Sequence, residues 1–144
     1  MVSQPPFLRK ALPLSRARSA TFCVSAQSPT ANIAPAAIER AVTHRTRAIL
    51  PVHFAGRPCQ MDEIMSIARR HHLAVIEDCA HAIEAEFCGK PIGTFGDSGC
   101  FSFYVTKNLT TAEGGMIVTD NRELADKIKI LALHGISKDA WKRF

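Results

Sequence analysis

The 144-residue sequence lacks a long apolar run. No stretch approaches the roughly 18–20 consecutive apolar residues that a membrane-spanning helix needs. The sequence also lacks a CxxC pair, and its five cysteines show no spacing to histidine that is typical of zinc sites. These absences argue against a membrane protein and against a zinc domain. The odd number of cysteines and their spacing favour reduced thiols in a cytoplasmic setting over a disulfide framework.

Acidic residues are missing from the first 38 positions, which carry four basic ones, namely Arg9, Lys10, Arg16 and Arg18. From position 39 onward, 14 basic residues accompany 13 acidic ones, so most of the formal net charge of +5 belongs to the N-terminal arm. The remainder gives no electrostatic case for nucleic-acid binding. Residues 1–30 are rich in Ser, Pro and Arg, which fits a disordered arm, a transit peptide or a mis-assigned start.

After residue 30 the hydrophobic pattern becomes regular. It predicts helices over 35–43, 60–72 and 121–135, strands over 47–54, 100–105 and 114–120, a short apolar run at 73–76, and glycine-rich turns over 89–99. In the second helix the pattern gives an apolar stripe of Met61, Ile64, Met65 and Ala68. In the third helix it predicts an N-cap at Asn121, a stop at Gly135, and a buried face of Leu124, Ile128, Leu131 and Ala132. The early order of helix, strand, helix, strand indicates an α/β fold with a mostly parallel sheet flanked by helices. The last two strands lie too close together for a crossover helix, so at least one should pair differently.

Two polar residues follow apolar strand-like runs, and ligands of open α/β sheets bind at such ends. Asp78 follows the run at 73–76, and Lys107 follows Phe101 to Val105. An amine and a carboxylate so placed match a pyridoxal phosphate (PLP) site. The amine forms a Schiff base, and the carboxylate keeps the pyridine nitrogen protonated. A structural salt bridge uses the same residue types, and spacing alone favours it.

The segments "HHLAVIEDCAHAIEA", "GKPIGTFGDSGCFSF" and "TKNLTTAEGGMIVTD" carry a family resemblance. From about Thr30 to Phe144 the chain resembles the sugar aminotransferases of the DegT/DnrJ/EryC1/StrS family, which are PLP enzymes of the aspartate-aminotransferase fold. The resemblance implies that 31–144 form part of the three-layer large domain and that 1–30 lie outside the family. It also implies that the family's N-terminal phosphate loop and C-terminal small domain are absent, and that the full-length family forms homodimers.

The resemblance assigns a role to four residues. Lys107 matches the lysine that forms the Schiff base with PLP and then shuttles protons. Asp78 matches the carboxylate paired with the pyridine nitrogen. His81 matches a Gln or His that contacts the cofactor ring or its phenolic oxygen, and Ser102 matches a hydroxyl that bonds the cofactor phosphate. No metal is implied.

Three further features are interpreted as structural. Glu113, Gly114 and Gly115 match the family's glutamate-glycine-glycine turn, in which glycine permits unusual backbone angles. The family usually has glycine where this chain has Ala112, so a positive φ there would be strained. His53 is interpreted as a satisfied histidine at a strand end.

The resemblance implies a PLP-dependent aminotransferase that moves an amino group from glutamate to a nucleotide-linked keto sugar, in cell-surface polysaccharide or amino-sugar biosynthesis. No nucleic-acid or membrane partner is expected, and catalysis by this short chain is expected to be weak or absent. A sugar dehydratase on the same scaffold is a second hypothesis, although such enzymes carry histidine where this chain has Lys107. A catalytically inactive truncated remnant or gene fragment is a third hypothesis, and a plain α/β binding module with a structural Asp78–Lys107 pair is a fourth.

Overall fold

A computed structural model describes residues 30–132. They form three α-helices, one short 3-10 helix (Phe54–Gly56) and six strands, and the α-helices and strands begin in the predicted order of helix, strand, helix, strand. The helices are α1 (Pro35–Ala41), α2 (Met61–His71) and α3 (Arg122–Ala132). The strands are β1 (Ala48–Ile49), β2 (Ala74–Asp78), β3 (Glu86–Phe87), β4 (Lys90–Pro91), β5 (Ser98–Ser102) and β6 (Gly115–Val118).

Four of the strands form one mixed sheet in the order β1-β2-β5-β6. The pairings of β1 with β2 and of β2 with β5 are parallel, which confirms the predicted α/β fold. The pairing of β5 with β6 is antiparallel, which confirms that the last strands pair differently. Strands β3 and β4 form a separate antiparallel hairpin.

The core lies between helix α2 and one face of the sheet. Met61, Ile64 and Ile67 on α2 are buried, and they belong to one cluster with Ile49 of β1 and Val75 of β2. Their spacing along the helix gives the apolar stripe expected of a helix that covers a sheet. Burial of this stripe fixes the position of β2, the strand that ends at Asp78.

The predicted strand over 47–54 is wrong in its length. Only Ala48 and Ile49 form a strand, and an isolated parallel bridge joins Val52 to Asp78. Pro51 interrupts the ladder because proline has no N–H to donate. Its carbonyl oxygen still accepts the Asp78 N–H at 2.9 Å, so the irregular segment continues to hold the end of β2.

The strand predicted over 100–105 begins two residues earlier and ends three residues earlier, at Ser98–Ser102. Its limits are set by pairing, because three of its residues match β2 and four match β6. The predicted turn region 89–99 is also partly wrong, since it contains β4. Lys107 therefore does not follow the strand directly. It lies in a turn, where its N–H donates to the Tyr104 carbonyl at 2.9 Å.

Helix α3 begins as predicted, because the Asn121 side chain accepts the Leu124 N–H at 3.0 Å. The predicted burial of Leu124, Ile128, Leu131 and Ala132 is wrong for the described residues. None of the residues of α3 is buried, and the Leu131 side chain is 73% exposed. Leu124 and Ile128 are half-buried, whereas Leu131 and Ala132 are exposed. The predicted helix stop at Gly135 lies outside the described residues. Among residues 30–132, no helix has the length and apolar character needed to cross a membrane.

Candidate active site at the carboxyl edge of the sheet

Two of the predicted site residues lie on the same face of the sheet. Asp78 is the last residue of β2 and pairs with Cys100 of β5. Residues paired across strands point to the same face, and so do residues two apart on one strand. Asp78, Cys100 and Ser102 therefore share one face, at the edge where both parallel strands end. Asp78 and Ser102 are both half-buried.

A glycine leaves space beside the Ser102 hydroxyl. Gly115 of β6 pairs with Ser102, so this position on the face carries no side chain. A Cβ atom built on Gly115 would lie 3.0 Å from the Phe101 carbonyl oxygen, closer than such contacts normally are. The backbones of β5 and β6 lie too close here for a larger residue, so the surface beside Ser102, called here the Gly115 cradle, carries no side chain.

Lys107 and His81 lie in turns beyond the same edge. Lys107 is half-buried, whereas His81 is exposed and packs edge-on against Phe54, with ring centroids 5.9 Å apart. Asn108, the residue after the lysine, and His81 both line one open depression of about 200 Å³. The lysine turn and the His81 turn are therefore neighbours, although neither residue lies on the strand itself.

The Asp78 main chain is held on both sides. Its N–H donates to the Pro51 carbonyl at 2.9 Å, and its carbonyl accepts the His53 N–H at 3.0 Å. Its Oδ1 accepts the Ala80 N–H at 3.0 Å. Within residues 30–132 no hydrogen bond engages Oδ2, so this carboxylate oxygen can accept a hydrogen bond from a ligand.

Glu77, the neighbour of Asp78, is the main residue that the sequence prediction missed. It is completely buried. Its Oε1 accepts the N–H groups of Phe95 and Gly96 at 2.8 and 2.7 Å, and its Oε2 accepts the N–H of Gly93 at 2.9 Å. The carboxylate therefore fastens the segment 92–97, called here the glycine loop, against β2. An acidic residue directly after a buried apolar run was the available signal.

His53 provides the fourth hydrogen bond to Glu77. Its Nδ1 accepts the Cys59 N–H at 3.0 Å, so the proton of the neutral ring must be on Nε2. That Nε2 lies 3.2 Å from Glu77 Oε2 and donates to it. Both ring nitrogens are engaged and the side chain is fully buried, which confirms that His53 is a satisfied histidine. Its predicted place at a strand end is wrong, because β1 ends at Ile49.

Hydrogen bonding keeps Glu77 ionised. Burial on its own would raise the pKa of the Glu77 carboxyl, because it penalises the charged form. The hydrogen bonds from His53 and from the N–H groups of Gly96, Gly93 and Phe95 lower the pKa by more than burial raises it. The net result is a pKa below the ordinary value, and hence a carboxylate near neutral pH.

The same cluster does not suit a metal ion. His53, Glu77 and Cys79 place ligand-type atoms within 4.8 Å of one another. Both nitrogens of His53 and both oxygens of Glu77 already bond to protein groups. Burial, followed by the charges of Glu77 and Asp78, raises the pKa of the Cys79 thiol to about 12. Because metals bind the thiolate, this thiol is a poor ligand.

The side chains at this edge suit PLP. A carboxylate with one unengaged oxygen fits a protonated ring nitrogen, a hydroxyl beside a glycine cradle fits a phosphate, and an amine lies in the turn that follows. Cys100 lies between Asp78 and Ser102 on this face. Burial, followed by the Asp78 charge, raises the pKa of its thiol, so the thiol remains neutral and does not compete with Asp78 for a cation.

Comparisons with known proteins agree with this chemistry. The family model described as the DegT/DnrJ/EryC1/StrS aminotransferase family matches residues 3–144. The match includes most of the N-terminal arm, whose separate status stays a prediction. An uncharacterized protein of Methanocaldococcus jannaschii is 61% identical over 127 residues, 88% of this chain and 33% of its own length. The spore coat polysaccharide biosynthesis protein SpsC of Bacillus subtilis is 55% identical over 80% of this chain and 30% of its own.

Solved structures with the same fold include an aminotransferase and a dehydratase. Helicobacter pylori PseC, an aminotransferase involved in the biosynthesis of pseudoaminic acid, has a TM-score of 0.74 and 35% identity, covering 78% of this chain and 31% of its own. The Escherichia coli GDP-4-keto-6-deoxy-D-mannose-3-dehydratase with bound hydrated PLP has a TM-score of 0.71 and 36% identity, covering 76% and 28%. The chain thus spans about a third of the length of the relatives it matches.

Proposed function

Because the chain belongs to the DegT/DnrJ/EryC1/StrS aminotransferase family, we propose that it provides part of the active site of a PLP-dependent sugar aminotransferase. Its α/β fold matches part of the large domain of such enzymes. The observation that carries the proposal is the shared face of Asp78 and Ser102 at the carboxyl ends of β2 and β5. The chain spans about a third of its relatives, so the proposal concerns the groups in residues 30–132.

Each residue has a role that its position permits. Asp78 would accept a hydrogen bond from the cofactor ring nitrogen and keep that nitrogen protonated. Ser102 would donate its hydroxyl to the cofactor phosphate across the Gly115 cradle. Lys107 would attach the cofactor through its Nζ and later move a proton with the same atom. His81 would lie against the ring. When bound, PLP supplies an electron sink for negative charge on the carbon next to the transferred nitrogen.

The proposed substrates are glutamate as amino donor and a nucleotide-linked keto sugar as acceptor. Support for a role in sugar biosynthesis comes from the relatives, since PseC is an aminotransferase of pseudoaminic acid biosynthesis and SpsC a protein of spore coat polysaccharide biosynthesis. The dehydratase hypothesis rests on the similarity to the Escherichia coli enzyme. Lys107 favours the aminotransferase, because an amine can both attach the cofactor and shuttle protons.

Trapping of the cofactor on lysine tests the proposal. The protein is incubated with PLP, reduced with borohydride and digested, and the labelled peptides are identified by mass spectrometry. We expect the label on Lys107, and we expect Asp78→Asn to reduce the yield of label about tenfold or more, because a hydrogen bond to a charged group contributes about 1.5–3 kcal/mol. The Lys107→Arg variant should carry no label in its 100–115 segment.

A lysine outside the site provides the matched control. Lys90 lies over the Phe95 ring at 4.6 Å from the centroid and has no part in the proposed site, so Lys90→Arg should leave labelling of Lys107 unchanged. If Lys90, Lys127 and Lys129 were labelled as strongly as Lys107, the result would contradict a specific cofactor site and would favour an inactive remnant. A specific label without amino transfer from glutamate would instead favour a dehydratase or a binding role.

A further inference from the structure

We infer that His53 and Glu77 are a positioning pair for the Asp78 carboxylate. The pair lies on the face of β2 opposite to Asp78, and it acts through the strand rather than by contact with a ligand. Because it concerns how Asp78 is held, the inference deepens the proposed function and rests on it for its relevance to PLP.

His53 connects both sides of the end of β2. Its main-chain N–H donates to the Asp78 carbonyl at 3.0 Å, while its side chain donates to Glu77 at 3.2 Å. Two successive residues of β2 are thus bound by one residue of the segment that follows β1. A rotation of the Asp78 peptide would therefore break the hydrogen bond from the His53 N–H and would also distort the hydrogen bond between His53 and Glu77.

Glu77 fixes the same strand end from the other direction. Adjacent residues of a strand point to opposite faces, so the Glu77 carboxylate lies opposite the candidate site. There it holds the glycine loop, which packs closely against β5. A Cβ on Gly93 would lie 2.7 Å from the Phe101 ring, and a Cβ on Gly99 would lie 2.5 Å from Gly93. The loop therefore locks β2 and β5 together directly behind Asp78 and Ser102.

The cost of this arrangement indicates that it is more than core filling. A buried carboxylate requires several hydrogen bonds to offset the loss of its hydration. Glu77 has four, and an apolar side chain would avoid the requirement. An apolar residue, however, cannot orient the four donors, which come from His53 and from the glycine loop. Such second-layer partners commonly orient the groups that bind a ligand.

Substitution of Glu77 separates positioning from stability. In Glu77→Gln an amide NH2 group replaces one carboxylate oxygen. Because this group donates and faces other donors, at least one of the hydrogen bonds to the side chain of residue 77 is lost. The control is Asp97→Asn, because Asp97 Oδ2 accepts the Val75 N–H at 2.8 Å and anchors the same loop near the other end of β2. Both variants should lower stability, but only the first should disturb Asp78.

The direct readout is the carboxyl ¹³C signal of Asp78 in protein labelled at aspartate and free of PLP. We expect this signal to shift in Glu77→Gln and to remain unchanged in Asp97→Asn. With PLP added, we expect the affinity for PLP to fall about tenfold in Glu77→Gln, the size seen when an orienting partner is lost. An unchanged Asp78 signal in Glu77→Gln, or an equal shift in both variants, would overturn the inference.

Two substitutions of His53 keep the test decisive should Glu77→Gln not fold. In His53→Gln the amide can take the place of the Nε2 donor to Glu77, whereas in His53→Asn it can replace only the Nδ1 acceptor of the Cys59 N–H. Positioning predicts a native Asp78 signal in the first and a shifted signal in the second, and the reverse result would overturn it. If PLP does not label Lys107 in the unmodified protein, the proposed function fails, but the Asp78 signal still decides the inference.

Discussion

At the scale of single residues, Ala112 carries backbone strain. Its φ is +68°, in the left-handed region that alanine rarely adopts. The family resemblance gives glycine as the usual residue there, and the structure now shows that a positive φ is required. Gly114, two residues later, has a φ of +153°, so two residues of this turn have conformations that favour glycine. The turn connects the Lys107 segment to β6.

Replacement of Ala112 by glycine should relieve this strain. The left-handed conformation costs a non-glycine residue roughly 1–2 kcal/mol, and the extra flexibility of unfolded glycine offsets roughly 0.5–1 kcal/mol of the gain. We therefore expect Ala112→Gly to raise the free energy of unfolding by about 0.5 kcal/mol in urea denaturation. The control Ala125→Gly, inside α3, should lower it by about 1 kcal/mol. Similar losses in both variants would show that Ala112 is unstrained.

Glu77 should make stability depend on acid pH. Its pKa in the folded state is below the ordinary value of 4.5, so the folded protein holds the carboxylate more favourably than the unfolded chain does. The resulting stabilisation is complete above pH 4.5 and is lost as the pH falls through the folded-state pKa.

Comparison with Glu77→Gln isolates this effect. At neutral pH the variant should lose about 1–3 kcal/mol of unfolding free energy, the usual cost of disturbing a buried hydrogen-bond partner. Between pH 5 and pH 3 the unmodified protein should lose stability more steeply than the variant, so the two curves converge. Hydrogen bonds from His71 and Arg70 also lower the pKa of Glu39. Because Glu39 is present in both proteins, its contribution to the pH dependence cancels in the difference between the two curves. Parallel curves would contradict a depressed pKa of Glu77.

Residue types at strand ends could be predicted from the sequence, but their partners could not. Asp78 was predictable because it follows an apolar run. Glu77 has the same sequence neighbourhood, yet its role depends on three N–H groups that lie 16 to 19 positions away. Main-chain donors have no sequence signature, since every non-proline residue has one. The roles of Lys107, Asp78, His81 and Ser102 toward PLP stay predictions.

At the scale of elements, the sequence predicted helix features correctly but misplaced the ends of strands. The periodicity of α2 and the cap of α3 depend on residues three or four positions apart, and both are confirmed. The ends of β1 and β5 depend on which strands lie beside them, so local propensity misplaced both by several residues. The position of Lys107 changed with the end of β5, from a strand end to a turn.

The cap of α3 should govern the stability of that helix, because none of its residues is fully buried. Asn121→Ala removes the acceptor for the Leu124 N–H and should cost about 1 kcal/mol. We expect faster hydrogen exchange at Leu124 and Ala125, with little change in the amides of β2. Asn121→Asp retains an acceptor and should preserve protection. Unchanged exchange in Asn121→Ala would show that other contacts hold the start of α3.

At the scale of the whole molecule, the described residues leave apolar surface near the candidate site. Tyr104, Val105 and Leu109 in the segment after β5 are 44%, 57% and 54% exposed. On β6, Met116 and Ile117 point to opposite faces and are 40% and 48% exposed. A strand at the edge of a sheet with apolar residues exposed on both faces is a template for association.

We therefore expect the isolated chain to self-associate. At roughly 100 μM, within the range where exposed apolar surface drives association, light scattering after size exclusion should give a mass above the 15.8 kDa of the monomer. The double variant Met116→Thr, Ile117→Thr keeps strand-forming residues but removes the apolar contact, so its mass should fall toward the monomer value. The control Glu63→Gln changes an exposed polar residue of α2 and should leave the mass unchanged. A monomer at every concentration, or equal masses in both variants, would show that β6 is not the associating surface.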